Sequence, residues 1–474
     1  MTTKITTSKR TLTEQPKQFA RIILTEDKSS WHRRVETADG QLEYRMGAGK
    51  REDMTPRSFR TLVRSIVQAA KSHQLERIAI HLGTMGCPKL EAMGEAWFWR
   101  TLAENLTLAS YEFTRYKSKK DDNKSLKEIT VCGLASKEAE VAFKVGLIVG
   151  EAANTTRDIA NQSANDMTPT ALGNAAKAAL KGTKAGVKIL GEVELKKLKM
   201  NLLLAVGGGT KVETKLIVIE YWGAGKGTAK KPSKPLVLIG KGITYDTGGI
   251  NVKPSGSMHD MHLDMSGGAA IIGAVSAIAK LGLKKNVIGL IPAAENAVSS
   301  DAMRAGDIVT AMNGKTVEIL HTDAEGRLVL ADTLTYSERY NPGTIIDVAT
   351  LTGAALSALG QQASAFMTKD EGLEAKLRAL GEESGDLLWP LPLWDEYQQS
   401  IKSTRADLSN IATNFSRFGG TIEGGAFLQN FVPKDVPWVH VDMAPRMDAI
   451  ASDKLTKGAT GEPVRFLVRF AEQY

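Results

Sequence analysis

The chain has 474 residues, too many for one ordinary core at about 150 residues per domain, so two or three domains are expected. Hydrophobic residues make up 42% and charged residues 24%, a balance that excludes a disordered chain and fits a soluble globular protein. No apolar run approaches the ~20 residues that span a bilayer, and a net charge of +8 over this length permits only weak attraction to nucleic acid.

The opening M-T-T-K-I-T-T-S-K-R lacks a continuous apolar stretch, so no secretory signal is expected. It is basic and threonine-rich, which leaves an organellar transit segment as the alternative to a cytoplasmic location. Cys87 and Cys132 lie far apart without metal-type spacing and read as buried, reduced thiols. Residues 56–74 set Phe59, Leu62, Val63, Ile66 and Val67 at helical spacing. A short strand, R-I-A-I-H-L-G, ends at Gly83; a helix over Glu91 to Phe113 and a strand centred on Val131 follow. This alternation suggests a small α/β layer structure. Trp97, Phe98 and Trp99 read as core of that second helix rather than as a stacking surface for bases. The charged run Y-K-S-K-K-D-D-N-K-S-L-K reads as a solvated loop.

A helix from near Ser136 to Asn161 has the length of a linker, and N-Q-S-A-N-D-M-T-P then supplies turn formers and Pro169. The expected plan is an N-terminal α/β domain over 1–135, a linker helix over 136–165 and a larger domain over 166–474. Beyond 170 the strand candidates are G-V-K-I-L-G, K-L-I-V-I-E-Y, P-L-V-L-I-G, N-V-I-G-L-I-P-A and T-I-I-D-V-A-T-L. Their β-branched content and lack of alternation argue for strands buried on both faces, as in α/β/α layers around a mostly parallel mixed sheet. The lysine-rich run 225–235 reads as a solvated connection. Asn313-Gly314 predicts a two-residue type I′ hairpin turn.

Chemistry concentrates between Lys241 and Arg327. G-K-G-I-T-Y-D-T-G-G-I-N-V-K carries Lys241, Asp246 and Lys253; H-L-D-M-S-G-G carries Asp264; H-T-D-A-E-G-R carries Asp323, Glu325 and Arg327. Asp323 and Glu325 are two apart, so in an extended segment they project to one side. Carboxylates brought together repel unless cations neutralise them, and divalent ions with oxygen ligands do so. A buried lysine beside dications gives up its proton and can ligate, while Lys253 and Arg327 can stay positive and stabilise an oxyanion. Water held between two such ions becomes a nucleophile near neutral pH, so hydrolysis of an amide, ester or phosphoester follows. No G-x-S-x-G elbow is present, and Gly240-Lys241-Gly242 lacks the rest of a P-loop.

These blocks, with P-A-A-E-N and T-D-A-E-G-R-L-V-L-A-D, resemble the leucyl (cytosol) aminopeptidase family. The agreement covers roughly the last 310 residues, from N-Q-S-A-N-D-M-T-P to G-A-T-G-E-P-V-R. The first part is compatible with that family's variable N-terminal domain. The resemblance implies a tightly held ion at Lys241, Asp246, Asp264 and Glu325, and a more exchangeable one at Asp246, Asp323 and Glu325. Zinc or manganese is implied, with magnesium or cobalt as further candidates. Lys253 would polarise the scissile carbonyl, and Arg327 would place a bicarbonate ion acting as general base. Leu351 would offer its carbonyl to the substrate, and Met261, Thr350 and Gly353 would line the pocket for a leucine-like first side chain. Peptide substrates and a cytoplasmic homohexamer are also implied. His321 and Pro445 depart from the usual Asn and Gly, and N-Q-S-A-N-D lacks the usual Pro. A non-catalytic oligomer with a structural or DNA-binding role is the competing expectation, motivated by the net charge and the lysine-rich run.

Overall fold

The computed structural model describes residues 3–27, 32–38, 40–83, 86–118, 126–134, 136–228, 231–416 and 418–474. The middle of the charged run 116–127, and residues 229 and 230 of the lysine-rich run, lie outside these. The chain divides into two compact units, one of residues 1–154 with 449–457, the other of 155–448 with 458–474. The division falls inside a helix, Lys137–Ala160.

The first unit holds a six-stranded sheet in the order Lys4–Ser8, Glu128–Cys132, Arg77–His81, Ala20–Thr25, Leu42–Gly47, His32–Glu36. Of these, only Arg77–His81 and Glu128–Cys132 were expected from sequence. The first expected helix forms as Pro56–Ser72, started by a Thr55–Ser58 capping box with proline at the first turn. The second is broken at Gly94 (φ 85) into Pro88–Glu91 and Glu95–Ser110. Trp97, Phe98 and Trp99 are core residues there, with Phe59 stacked on Phe98 at 4.9 Å. Cys87 and Cys132 are buried free thiols.

The second unit is built on a nine-stranded mixed sheet. Its central strand, Leu236–Gly240, pairs in parallel with Asn286–Asn296 on one side and Thr344–Ala349 on the other. Trp438–Asp442 continues the parallel set beyond Thr344–Ala349. Lys215–Trp222 and Gly186–Leu190 close one edge in antiparallel fashion, and Ser364–Met367 with Leu388–Pro390 closes the other. The central strands are buried throughout, as the unbroken apolar runs imply. Gly186–Leu190 is the exception to the two-faced burial expected: as an edge strand it is partly exposed.

Helices cover both faces. Val237, Ile239, Ile288 and Leu290 share one apolar cluster with Leu328, Leu330 and Leu334 of the helix Gly326–Ser337. On Gly289, between Ile288 and Leu290, a Cβ would meet Ile271 of the helix Ser266–Lys280. Successive strand residues point to opposite faces, so the two helices sandwich the sheet. The helix Met261–Lys280 region is apolar enough to cross a membrane by composition, but 89% of that window is buried inside the protein. It is a core helix.

The Asn313-Gly314 hairpin forms between Ile308–Thr310 and Thr316–Glu318, but not with a type I′ turn. Gly314 has φ 90 while Asn313 is not left-handed, and Gly314 N donates to Ala311 O at 2.9 Å. The connection is therefore a longer loop with one left-handed glycine.

Candidate metal centre

Parallel strands deliver their carboxyl ends to one edge of the sheet, and the candidate residues gather there. Lys241 follows the central strand directly. Asp246 ends the short strand Gly242–Asp246, which pairs alongside the far end of Asn286–Asn296. Thr350 follows Thr344–Ala349, and Asp264 sits in a 3₁₀ turn, Met261–Met265, that leads into the helix Ser266–Lys280. Asp323 and Glu325 converge by a different route from the one expected. Residues 321–325 are not extended: Ala324 N donates to His321 O at 3.2 Å, and Glu325 already has helical angles (φ −77, ψ −35) ahead of Gly326–Ser337.

The result is a buried cluster. Ligating oxygens of Asp246, Asp323 and Glu325 all lie within 4.8 Å of one another. Lys241 Nζ stands 2.8 Å from Asp264 Oδ2 and 2.7 Å from Glu325 Oε1, and donates to Thr350 O at 3.0 Å. Lys253 Nζ stands 2.9 Å from Asp246 Oδ2 and 2.5 Å from Asp323 Oδ1. Glycines make these approaches possible. Gly248 and Gly249 turn the chain with φ of 87 and 65, and a Cβ on Gly248 would stand 3.0 Å from Asp323 Oδ1. On Gly326 a Cβ would stand 2.7 Å from Lys241 Nζ.

Four carboxylates face two ammoniums, an excess of two negative charges in a site where Lys241, Asp246, Asp264 and Glu325 are almost wholly buried. Titration reflects that imbalance. Burial, then the neighbouring carboxylates, push Asp264 up to about 8 and Asp323 up to about 7, and raise Glu325 as well. Burial opposes the charge on Lys241, yet Asp264, Glu325 and Asp246 outweigh it and hold the ammonium more firmly than usual. Lys253 is held in the same way by Asp246, Glu325 and Asp323. Asp264 Oδ2 and Asp323 Oδ1 touch lysine charges but receive no aligned hydrogen bond. Oxygen donors with surplus negative charge and unused lone pairs suit hard divalent cations. The donor set fits.

Arg327 is buried on the first turn of its helix and donates Nη1 to Asn410 O at 2.7 Å, while its Nε is unpaired. Burial lowers its pKa, against the pull of Glu423, Glu325 and Asp442. Thr350 is turned inward, its Oγ1 donating to Asp264 Oδ1 at 2.6 Å. Leu351 is half-buried with its N–H on Asp442 Oδ1 at 3.0 Å. Gly353 is exposed at the start of Gly353–Leu359, and Met261 is half-buried. His321 contributes Nδ1 as acceptor to Asp323 N at 3.3 Å; burial, Lys253 and Arg327 all lower its pKa, which favours that neutral ring. Pro445 is buried in a short 3₁₀ turn, Ala444–Arg446.

Several residues of the cluster went unread in the sequence. Asn296, the last residue of P-A-A-E-N, donates to Asp246 Oδ1 at 2.8 Å. Thr322 and Asn251 bind each other and fasten the two loops of the site together. Asn410 and Asp442 hold the segments around Arg327 and Leu351. The one available signal was the position of Asn296 and Asp442 at the ends of apolar strands. Clefts of about 1110 and 840 Å³ beside Trp394 and Asn430 contain none of the expected residues.

Known proteins align with this architecture. Residues 154–468 match the model of the cytosol aminopeptidase family, catalytic domain, and residues 45–120 match that of its N-terminal domain. A probable cytosol aminopeptidase of Azotobacter vinelandii is 42% identical over 430 residues, covering 90% of this chain and 84% of that protein. Another, of Paraburkholderia phymatum, is 40% identical over 428 residues, covering 90% and 82%. Among solved structures, a mutant of tomato leucine aminopeptidase superposes with TM-score 0.86 at 30% identity, covering 100% of this chain and 97% of that one. The bottromycin maturation enzyme BotP in complex with Mn gives TM-score 0.83 at 30% identity, covering 96% and 98%. With both domain models matched and two-fifths identity along nine-tenths of its length, the chain belongs to the cytosol aminopeptidase family.

Proposed function

We propose that this chain is a metal-dependent aminopeptidase that removes leucine-like residues from the N-termini of peptides, with two divalent ions in the carboxylate cluster. The observation that carries the reading is the convergence of Asp246, Asp323 and Glu325 within 4.8 Å, with Asp264 and Lys241 adjoining them. Lys241, Asp246, Asp264 and Glu325 are assigned to the tightly held ion, and Asp246, Asp323 and Glu325 to the exchangeable one. Zinc or manganese fits this donor set, with magnesium and cobalt as alternatives. The ions would supply Lewis acidity, lowering the pKa of water toward neutrality and drawing charge from a bound amide.

The remaining steps belong to the chain. Lys241 Nζ would have to lose its proton to solvent to ligate, and an ion neutralising Asp264 and Glu325 would remove the charges that hold that proton in place. Lys253, three-quarters or more buried as a side chain, keeps its ammonium and offers it to the oxyanion of the attacked carbonyl. Arg327 stays positive, braced by Asn410, and is assigned to hold a bicarbonate ion acting as base. Leu351 presents its carbonyl to the substrate, while Met261, Thr350 and Gly353 border the first side chain. A free peptide amine bound directly at the cluster accounts for removal of one residue at a time.

We further assign a cytoplasmic homohexamer. Phe418 (87% exposed), Phe415 (64%) and Trp394 (63%) offer apolar surface for association. Sedimentation should give a species six times the 51.1 kDa chain rather than a monomer. Activity is tested by hydrolysis of a leucine chromogenic amide with added Mn²⁺ or Zn²⁺ and by its loss to a chelator. Fully metallated protein that released no N-terminal residue from a panel of peptides would end the proposal. Retention of every carboxylate and lysine of the cluster argues against a purely structural oligomer.

A further inference from the structure

We infer that Asn296 is a positioning residue for the metal cluster, one that commits Asp246 to act through a single oxygen and locks together the two loops that carry the carboxylates. The inference rests on the metal-binding reading above. Asn296 is almost fully buried at the end of the long strand Asn286–Asn296. Its Nδ2 donates to Asp246 Oδ1 at 2.8 Å and to Thr322 O at 3.1 Å. Both amide protons are thereby spent on the two segments that must meet.

Asp246 Oδ1 also accepts from Gly248 N at 2.8 Å, so two N–H donors saturate it. Only Oδ2 is left facing Lys253 and the neighbouring carboxylates. The Asn296 carbonyl accepts Thr247 N and Thr247 Oγ1, each at 2.9 Å, which fixes the turn just after Asp246. Thr322, the residue before Asp323, completes the clasp. Its Oγ1 donates to Gly248 O at 2.6 Å and accepts Asn251 N at 2.8 Å, and its own N–H is bound by Asn251 Oδ1 at 2.8 Å. One carboxamide and one hydroxyl therefore define the separation of Asp246 from Asp323.

Residues that orient metal ligands typically change ion affinity by about 10–100-fold when removed. The test is Mn²⁺ binding to the full-length protein, measured by chelator competition. Asn296→Ala should weaken binding by about tenfold or more. The isosteric Asn296→Asp is the sharper variant. It adds negative charge beside the cluster, so charge alone predicts tighter binding, whereas loss of the two donors predicts weaker binding. Thr322→Val should weaken binding to a smaller extent, and circular dichroism should show each variant folded. Weaker Mn²⁺ binding by Asn296→Asp supports the assignment. Binding equal to or tighter than wild type overturns it, whatever happens to stability or rate. If wild-type protein itself bound no Mn²⁺, the metal reading would fall rather than the role of Asn296 within it.

Discussion

Lys253 bridges Asp246 and Asp323 at 2.9 and 2.5 Å, two of the three carboxylates assigned to the exchangeable ion. The ammonium and a dication therefore compete for one pair of oxygens. Lys253→Ala removes the competitor, so Mn²⁺ affinity should hold or rise while kcat falls by ~10²–10³ at saturating metal, the scale of losing one oxyanion donor. A variant whose metal site emptied would show that Lys253 is a ligand or a structural pin instead. Asp323→Ala should behave oppositely. It deletes a carboxylate that is only partly buried and reachable from solvent, so one ion should be lost, and activity with it. Counting bound Mn²⁺ per chain by atomic absorption, two in wild type against one in the variant, checks this directly.

At the level of the helix, Asp332 shows how the site's scaffold is held. It lies on Gly326–Ser337, the helix that begins beside Glu325, and is wholly buried. Its carboxylate accepts Leu202 N at 2.8 Å, Leu203 N at 3.1 Å and Met312 N at 2.8 Å, so it caps the neighbouring helix Asn201–Gly207 from inside the core. Asp332→Ala would orphan two buried N–H groups and one part-buried one, and should cost on the order of 3 kcal/mol in urea unfolding, with Mn²⁺ affinity unchanged. Neither Asp332 nor Asn296 had a role that could be read from sequence, and the reason is distance along the chain. The lysines, carboxylates and paired glycines announce themselves within ten-residue blocks, because ligand chemistry and left-handed turns are local. Asn296 meets Asp246 across 50 residues, and Asp442 meets Leu351 across 91. Such pairings follow from strand order, which no local pattern encodes. The N-terminal sheet was obscured differently. K-I-T-T-S and H-R-R-V-E are short and polar with no buried residue, so they carry no apolar run to mark them, whereas the buried central strands of the larger sheet did. The extended geometry expected for Asp323 and Glu325 failed because a turn, followed at once by helix, brings the two together more tightly than a strand would.

For the molecule as a whole, the surplus of buried carboxylates ties stability to pH and metal together. In the unfolded chain these groups titrate near their ordinary values of about 4. In the folded protein burial and mutual repulsion raise Asp264 to about 8 and Asp323 to about 7, and burial raises Asp332 to about 7 despite its three backbone bonds. Between pH ~4 and ~8 the native state therefore binds more protons than the unfolded state, and stability falls as pH rises through that window. Lys241 and Lys253 do not reverse the sign. Their folded pKa values lie above the ordinary lysine range, so their contribution is fully present throughout and is lost only at higher pH. With a chelator present, the melting temperature should thus decrease from pH 5 to pH 8. Divalent ions replace the protons as the neutralising charge, and they bind better as the carboxylates ionise, so the Mn²⁺-induced rise in melting temperature should grow over the same range. Asp323→Asn, which cannot ionise at that position, should flatten the slope seen with chelator. A chelated wild-type protein that instead became more stable from pH 5 to pH 8, with Asp323→Asn unchanged in slope, would mean that repulsion among these buried carboxylates does not set the stability of the metal-free protein.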